Sequence, residues 1–186
     1  PKVKAAGEMG LAAWDHVRPE IAEAETVSRL SYFSEKTGCP LYCVHISCAE
    51  AAEKIAQGKK TNLRLYGETT PHYLVLNTDS PCAELGKVNP PLRTAEDVEA
   101  VREALADGTI DVVGTDHAPH PLEDKDCEWQ AGAFGMTGLE TALSVLIETM
   151  VATGRMTWRD IARAMSSTPA RIGRLSDQGC ELEVGA

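Results

Sequence analysis

The stretch GTIDVVGTDHAPH, residues 108–120, joins an apolar run to a cluster of polar side chains. Residues 110–113 are mostly apolar and predict a short buried strand. The residues that follow supply one carboxylate and two imidazoles, on Asp116, His117 and His120. A carboxylate at the end of a buried strand is costly unless it is paired, hydrogen-bonded or bound to a metal. The stretch therefore predicts a functional site where this strand ends.

The composition is that of an ordinary globular protein. The 186 residues are 43% hydrophobic and 25% charged, which is enough for one sizeable core. The formal net charge of -10 argues against a nucleic-acid partner and against an anionic membrane surface. No apolar run is long enough to span a bilayer, and no signal peptide is recognisable. We therefore expect a cytoplasmic protein.

The chain has six cysteines and no CxxC pair. Scattered cysteines in an acidic chain indicate reduced thiols. Three of them, Cys39, Cys43 and Cys48, lie close together in the sequence. Their spacing matches no common pattern of zinc ligands, so a zinc site at this cluster is the less favoured interpretation.

Helical patterns alternate with short apolar runs along the chain. Pro19 and Gly38 suit the first turn and the carboxyl cap of one helix, and Thr94 suits the amino cap of another. Helices are predicted over 19–38, 49–58, 94–108, 137–154 and 157–175. Strands are predicted within 39–47, 61–70 and 110–113.

This alternation indicates an α/β fold of parallel β/α units, with a sheet buried on both faces. In such folds the site lies at the carboxyl edge of the sheet. About three β/α units are visible, whereas a (β/α)8 barrel usually needs roughly 250 residues. The chain is therefore either a small open sheet or part of a larger barrel.

His45 lies at the end of the apolar run within 39–47 and is the partner that Asp116 would need for metal binding. Imidazole and carboxylate are both good ligands for Zn²⁺ and similar cations. A single histidine at a strand end is more often structural, so the interpretation depends on the two strand ends lying close together. His117 and His120 could instead cap backbone groups in their turn.

Other polar residues also have a simpler interpretation. Asn89, before two prolines, suits a turn, and residues 133–138 suit a flexible loop. His72 follows Pro71, and we expect it to be a packed loop residue.

Several motifs resemble those of dihydroorotases, which are cyclic-amide hydrolases of the amidohydrolase superfamily. They are GTDHAPH (114–120), KVNPPLRTAEDVEAVREALADGTID (87–111) and FGMTGLETALSVL (134–146), with CPLYCVHIS (39–47) and ETTPHYLVLN (68–77) in agreement. The segment HVRPEIAEAETV (16–27) is more similar to the hydantoinase, dihydropyrimidinase and allantoinase relatives.

The resemblance implies part of a TIM-type (β/α)8 barrel, about strands six to eight with their helices, truncated at both ends. Residues 1–175 would form the C-terminal part of the barrel. Residues 176–186 would begin the return to a small β domain.

For the site, the resemblance implies that His45 and Asp116 are metal ligands and that Asp116 is also the catalytic proton shuttle. The implied substrate-binding residues are Asn89, His120, Phe134 and Gly135. The implied cofactor is a pair of divalent metal ions, with zinc expected. The remaining ligands in the family are an HxH pair, a bridging carboxylate or carboxylated lysine and a further histidine. They are not found in this sequence and would lie upstream, so we expect these 186 residues to be inactive by themselves.

The implied function is reversible hydrolysis of dihydroorotate to N-carbamoyl-aspartate in pyrimidine biosynthesis. The partner would be a small cyclic amide, with no nucleic acid and no membrane, and the full-length enzyme would be a homo-oligomer. Two alternatives stay open. One is a hydantoinase, dihydropyrimidinase or allantoinase type of ring hydrolase, and the other is a non-catalytic scaffold relative.

Overall fold

The computed structural model describes residue 7 and residues 9–176. Its sheet has three parallel strands in the order β1 (Leu41–Cys43), β2 (Leu65–Thr69) and β3 (Val112–Val113). The α/β class and the parallel sheet are therefore as predicted. Ser176 is the last described residue, so the predicted return to a β domain lies almost wholly outside the described part of the chain.

Helices precede, connect and follow the strands. The α-helices are α1 (Leu11–Val17), α2 (Glu20–Thr37), α3 (Ala49–Lys59), α4 (Ala95–Ala106), α5 (Leu122–Lys125), α6 (Ala142–Leu146), α7 (Trp158–Ala162) and α8 (Thr168–Ile172). Helix α6 continues as a π-helical turn over Ile147–Val151, and α7 does so over Arg163–Ser167. Two 3₁₀ turns cover Pro71–Leu74 and Ala83–Gly86. None of the described helices is long and apolar enough to cross a membrane.

The predicted helix ends are present where their signals are strongest. Gly38 ends α2 with a φ of 70°, a left-handed conformation that glycine adopts without steric cost. Thr94 begins α4 in a capping box, in which its side chain accepts a hydrogen bond from the Asp97 backbone N–H. These caps satisfy backbone groups that a helix terminus otherwise leaves unpaired.

The sheet is not buried equally on its two faces, which corrects the prediction. In β2, Leu65, Gly67 and Thr69 are buried, whereas Tyr66 and Glu68 are only half-buried. Helix α3 covers the first face. On the second face Val112 of β3 is buried, so access to solvent is confined to Tyr42, Tyr66 and Glu68 on the other two strands.

The sequence pattern of α2 places Ile21, Ala24, Val27, Leu30 and Phe33 on one apolar stripe, and this stripe is only partly buried. Ala24 and Val27 join the core, but Ile21, Leu30 and Phe33 are exposed. The helix contacts α3 and the edge strand β1, so the stripe extends beyond what the sheet can cover.

Arg93 connects helices α1 and α2 to the segment that follows β1. Its side chain is only 2% exposed, and its guanidinium contacts Asp15 at 2.6 Å and Glu23 at 3.2 Å. It also donates to Ser47 Oγ at 3.1 Å. A buried arginine with these partners keeps the segment after β1 in one position.

Candidate active site

His45 lies two residues beyond the end of β1. Its neighbours hold it in place, because the Ile46 N–H donates to Glu68 O at 2.7 Å and the Ser47 N–H donates to Glu23 at 2.8 Å. The half-buried side chain of His45 and Asn89 line the same cavity of about 320 Å³. Two of the predicted site residues therefore share one cavity.

Asp116 lies three residues beyond β3, at the same edge of the sheet. The residue is exposed, so the argument that its burial requires a partner does not apply. Asp116 and His45 both have a φ of 45°, in the left-handed region that is uncommon for non-glycine residues. Strained backbone of this kind concentrates at functional sites. The observation that marks Asp116 is thus its conformation and not its burial.

The turn after β2, residues 71–74, lies between these two strand ends. Burial, with a smaller contribution from the nearby His45, lowers the pKa of His72 to about 4. Burial also raises the pKa of the adjacent Tyr73, with Glu23 and Asp116 adding to the effect. Within this turn, His45 therefore affects the pKa of His72, and Asp116 affects that of Tyr73.

Two buried polar atoms at the end of β2 have no hydrogen-bond partner among the described residues. They are Thr70 Oγ1 and His72 Nε2. His72 is packed, as predicted, with its ring centroid 4.4 Å from that of Tyr73. Unpaired buried polar atoms are rare, and a functional role or a bound ion is one explanation for them. The sequence carried no signal for this feature beyond a histidine following a strand.

The loop that carries Asn89 is held from two sides. The Trp14 indole N–H donates to Val88 O at 3.0 Å, and the Tyr73 hydroxyl donates to Pro90 O at 2.6 Å. The Asn89–Pro90 peptide bond is cis. Asn89 is exposed beside the cavity that His45 lines, so its side-chain amide is accessible to a ligand.

His120, Phe134 and Gly135 come together on the other side. His120 Nε2 lies 2.9 Å from Phe134 O. His120 and Gly135 line a second cavity of about 370 Å³. His45 and Asn89 thus line one cavity and His120 and Gly135 the other, while Asp116 lines neither of these two.

His117 caps backbone groups, which is the simpler of the roles considered for it from the sequence. Its Nδ1 accepts the backbone N–H groups of Gly138 and Leu139, at 3.1 and 3.2 Å. It therefore caps the start of the segment leading to α6. Both bonds need Nδ1 to be unprotonated.

The donor types at the sheet edge suit a divalent metal such as zinc. His45 offers an imidazole and Asp116 a carboxylate, and the unpaired His72 Nε2 belongs to a residue close to His45. Zinc sites usually have three or four protein ligands. Among the described residues, however, no group of three or more His, Cys, Asp or Glu side chains is placed to hold a metal. The five described cysteines are free thiols, and no zinc cluster forms around Cys39, Cys43 and Cys48.

Parallel β/α units with polar groups at the carboxyl edge of the sheet place this chain in the class of α/β proteins that build their sites on strand ends. The family model of the amidohydrolase family matches residues 31–186. The chain belongs to the amidohydrolase family.

Curated relatives are dihydroorotases. The dihydroorotase of Leifsonia xyli subsp. xyli is 50% identical over 182 residues, which cover 97% of this chain and 41% of the relative. Those of Streptomyces coelicolor and Mycobacterium tuberculosis are 48% and 46% identical, covering 96% and 97% of this chain and 41% of each relative. The chain spans about two fifths of the length of these relatives.

Solved structures of hydantoinases have a similar fold. The L-hydantoinase (dihydropyrimidinase) of Arthrobacter aurescens matches all of this chain and 42% of its own, with a TM-score of 0.89 and 32% identity. A D-hydantoinase from Bacillus sp. AR9 matches all of this chain and 43% of its own, with a TM-score of 0.90 and 29% identity.

Proposed function

We propose that the complete protein is a metal-dependent cyclic amidohydrolase, and specifically a dihydroorotase that interconverts dihydroorotate and N-carbamoyl-aspartate in pyrimidine biosynthesis. The observation that carries the proposal is the pair His45 and Asp116 at one edge of a parallel sheet, both with a φ of 45°. The identity of 50% to a curated dihydroorotase supports this substrate over other cyclic amides.

The three strands are proposed to be strands six to eight of a (β/α)8 barrel. The half-buried face of β2 supports this, because Tyr66 and Glu68 would then point into the barrel interior. The relatives, of which this chain spans about two fifths, are long enough for the rest of a barrel. We propose that residues 1–175 belong to the barrel and that 176–186 begin a small β domain.

His45 and Asp116 would each hold a divalent metal, with zinc proposed, and the further ligands would come from other strands. When bound, such a metal lowers the pKa of water to about 7 and polarises a carbonyl group. Asp116 would accept the proton released when water attacks the ring carbonyl carbon. It would then deliver that proton to the ring nitrogen as the C–N bond breaks.

The remaining residues would bind and orient the cyclic amide. Asn89 offers a side-chain amide, His120 a ring nitrogen, and the segment at Phe134 and Gly135 its backbone groups. Holding the ring carbonyl in one orientation near the attacking water contributes to the rate, because the reacting groups need not find one another.

A hydantoinase or dihydropyrimidinase activity is the second candidate. The TM-scores of 0.89 and 0.90 to hydantoinase structures favour it. Sequence identity to those proteins is 32% and 29%, well below that to the dihydroorotases. A scaffold without catalysis is less favoured, because both expected metal donors are present here.

The test is a substrate comparison with the purified complete protein. We expect hydrolysis of dihydroorotate, loss of activity with a chelator and recovery with Zn²⁺. Dihydrouracil and hydantoin serve as competing substrates in the same assay. Turnover of hydantoin or dihydrouracil in preference to dihydroorotate would assign the second activity, and turnover of none of the three would favour the scaffold. Size-exclusion chromatography tests the proposed homo-oligomer, and cell fractionation tests the proposed cytoplasmic location.

A further inference from the structure

Two lysines are buried beneath the loop that carries Phe134 and Gly135. Lys87 is 3% exposed and Lys125 is 7% exposed. Lysine is almost never buried to this degree unless its ammonium group is paired. Burial lowers the pKa of both side chains, as expected for a cation removed from water.

The partners of Lys125 are all backbone carbonyl oxygens. Its Nζ donates to Lys87 O at 2.9 Å, to Ala133 O at 3.0 Å and to Gly135 O at 2.8 Å. An ammonium group has three donors, so each of them is used. The Gly135 N–H donates to the same Lys87 O at 3.0 Å, which closes the loop onto the segment before Asn89.

Lys87 holds the loop from the other side. Its Nζ donates to Trp129 O and to Gly132 O, both at 2.6 Å. The same Nζ lies 4.4 Å from the ring centroid of Phe134, within the range of a cation–π contact. The ring of Phe134 is thus fixed by a buried charge beneath it and by Trp14, whose ring centroid is 5.2 Å away.

Four consecutive carbonyls of the loop are therefore bound by side chains. Lys87 donates to the carbonyl oxygen of Gly132, and Lys125 donates to those of Ala133 and Gly135. His120 binds the carbonyl oxygen of Phe134, which lies between them. The loop over 126–135 contains neither helix nor strand. Side-chain donors replace the hydrogen bonds that regular structure would supply.

We propose that Lys87 and Lys125 are positioning residues, which fix the backbone at Phe134 and Gly135 so that it is preorganised for the cyclic amide. This inference takes the identity of the ligand from the proposed function. The geometry of the loop does not depend on that function. Preorganisation of this kind lowers the entropic cost of binding, so its loss should appear mainly in KM.

The test uses Lys125→Met in the complete protein, because methionine is similar in length but has neither charge nor donor. Lys60→Met, at an exposed position after α3, is the matched control. With the cyclic amide that the wild type turns over best, we expect Lys125→Met to raise KM about tenfold or more and to change kcat far less. Lys125→Arg, which keeps the charge and several donors, should recover part of the loss.

Hydrogen exchange supplies a readout that needs no substrate. In Lys125→Met, amides over 126–136 should exchange faster, while those of α3 and α4 keep the wild-type rate. An unchanged KM together with faster exchange would make Lys125 a structural residue only and overturn the proposal.

Wild-type exchange keeps the proposal testable even where the variant does not fold. The Ala133 and Gly135 amides should be protected nearly as well as helical amides, since both are hydrogen-bonded in the loop. Exchange as fast as that of an exposed loop would refute the positioning role. A wild type that turns over none of the three cyclic amides would refute the proposed function, and the exchange data would still decide whether the lysines hold the loop.

Discussion

His120 Nε2 lies 2.9 Å from the carbonyl oxygen of Phe134. A carbonyl oxygen can only accept a hydrogen bond, so Nε2 carries the hydrogen of this bond. Nδ1 takes no part in it. His120 is exposed and lines the cavity beside Gly135. The residue thus joins the turn after β3 to the loop at Phe134, while one ring nitrogen can still meet a ligand.

His120→Ala in the complete protein should impair substrate use more than metal binding. Losing one hydrogen bond to the substrate costs roughly 1–3 kcal/mol, which corresponds to about a five- to 150-fold fall in kcat/KM. The assay is steady-state kinetics combined with metal analysis. His16→Ala, at an exposed position of α1, is the control and should behave as wild type.

Two other outcomes for His120→Ala would reject this assignment. Loss of a metal with an unchanged KM would make His120 a metal ligand. Unchanged kinetics with a lower melting temperature would limit it to holding Phe134 O.

Asp116→Asn should abolish turnover while leaving the fold intact. Asparagine lacks the negative charge and cannot carry the proton, but it tolerates a φ of 45° better than most residues. Turnover and circular dichroism of the complete protein are the measurements. Asp79→Asn, in an exposed turn, should keep full activity. Wild-type turnover by Asp116→Asn would remove this carboxylate from the mechanism.

The sheet and its helices were predictable because their signals are local. The capping box of Thr94 and the left-handed Gly38 depend on a few adjacent residues, and alternation of helices and strands implied the parallel order. The half-burial of Tyr66 and Glu68 on β2 was not predictable, because a strand of five residues does not reveal what covers it.

The candidate site was predictable only in part. The sequence indicated His45 and Asp116 through their strand ends. His120, Phe134 and Gly135 were each expected to bind substrate; the structure brings them together, and their role stays a prediction. The roles of Lys87 and Lys125 were not visible, since their partners are backbone carbonyls up to 45 residues away and carry no residue signature. The unpaired Nε2 of His72 also depends on packing from several elements.

Gly135→Ala should disturb the loop through two separate effects. Gly135 has a φ of 134°, and a Cβ there would lie 2.6 Å from Ala118 Cβ and 3.0 Å from Ala118 O. Gly154→Ala is the control, because Gly154 has a φ of 76° but its Cβ would meet nothing within 4 Å. We expect the control to lose about 1 kcal/mol of stability, and Gly135→Ala to lose at least about 2 kcal/mol and to raise KM. Equal losses measured by urea denaturation would show that Ala118 moves freely.

His72 should make the stability of the protein depend on pH. Its pKa is lowered from 6.5 to about 4, because burial disfavours the charged ring and His45 adds to the effect. Between these two values the unfolded chain binds a proton that the folded chain does not. The free energy of unfolding should therefore fall as the pH is lowered from 6.5 towards 4. The part due to His72 is roughly 3 kcal/mol over the whole interval.

The measurement is urea denaturation of the metal-free complete protein at several values between pH 7.5 and pH 4.5, since bound metal would add the titration of its own ligands. His72→Gln removes the titrating group but keeps a polar side chain, so most of the His72 contribution should disappear from the slope. His16→Gln, which changes an exposed histidine, should retain the wild-type slope. The contrary result is that His72→Gln and the wild type lose stability in parallel below pH 6.5. The imidazole of His72 would then be protonated in the folded state. It would be a positive charge beside His45 and not a neutral group at the strand ends.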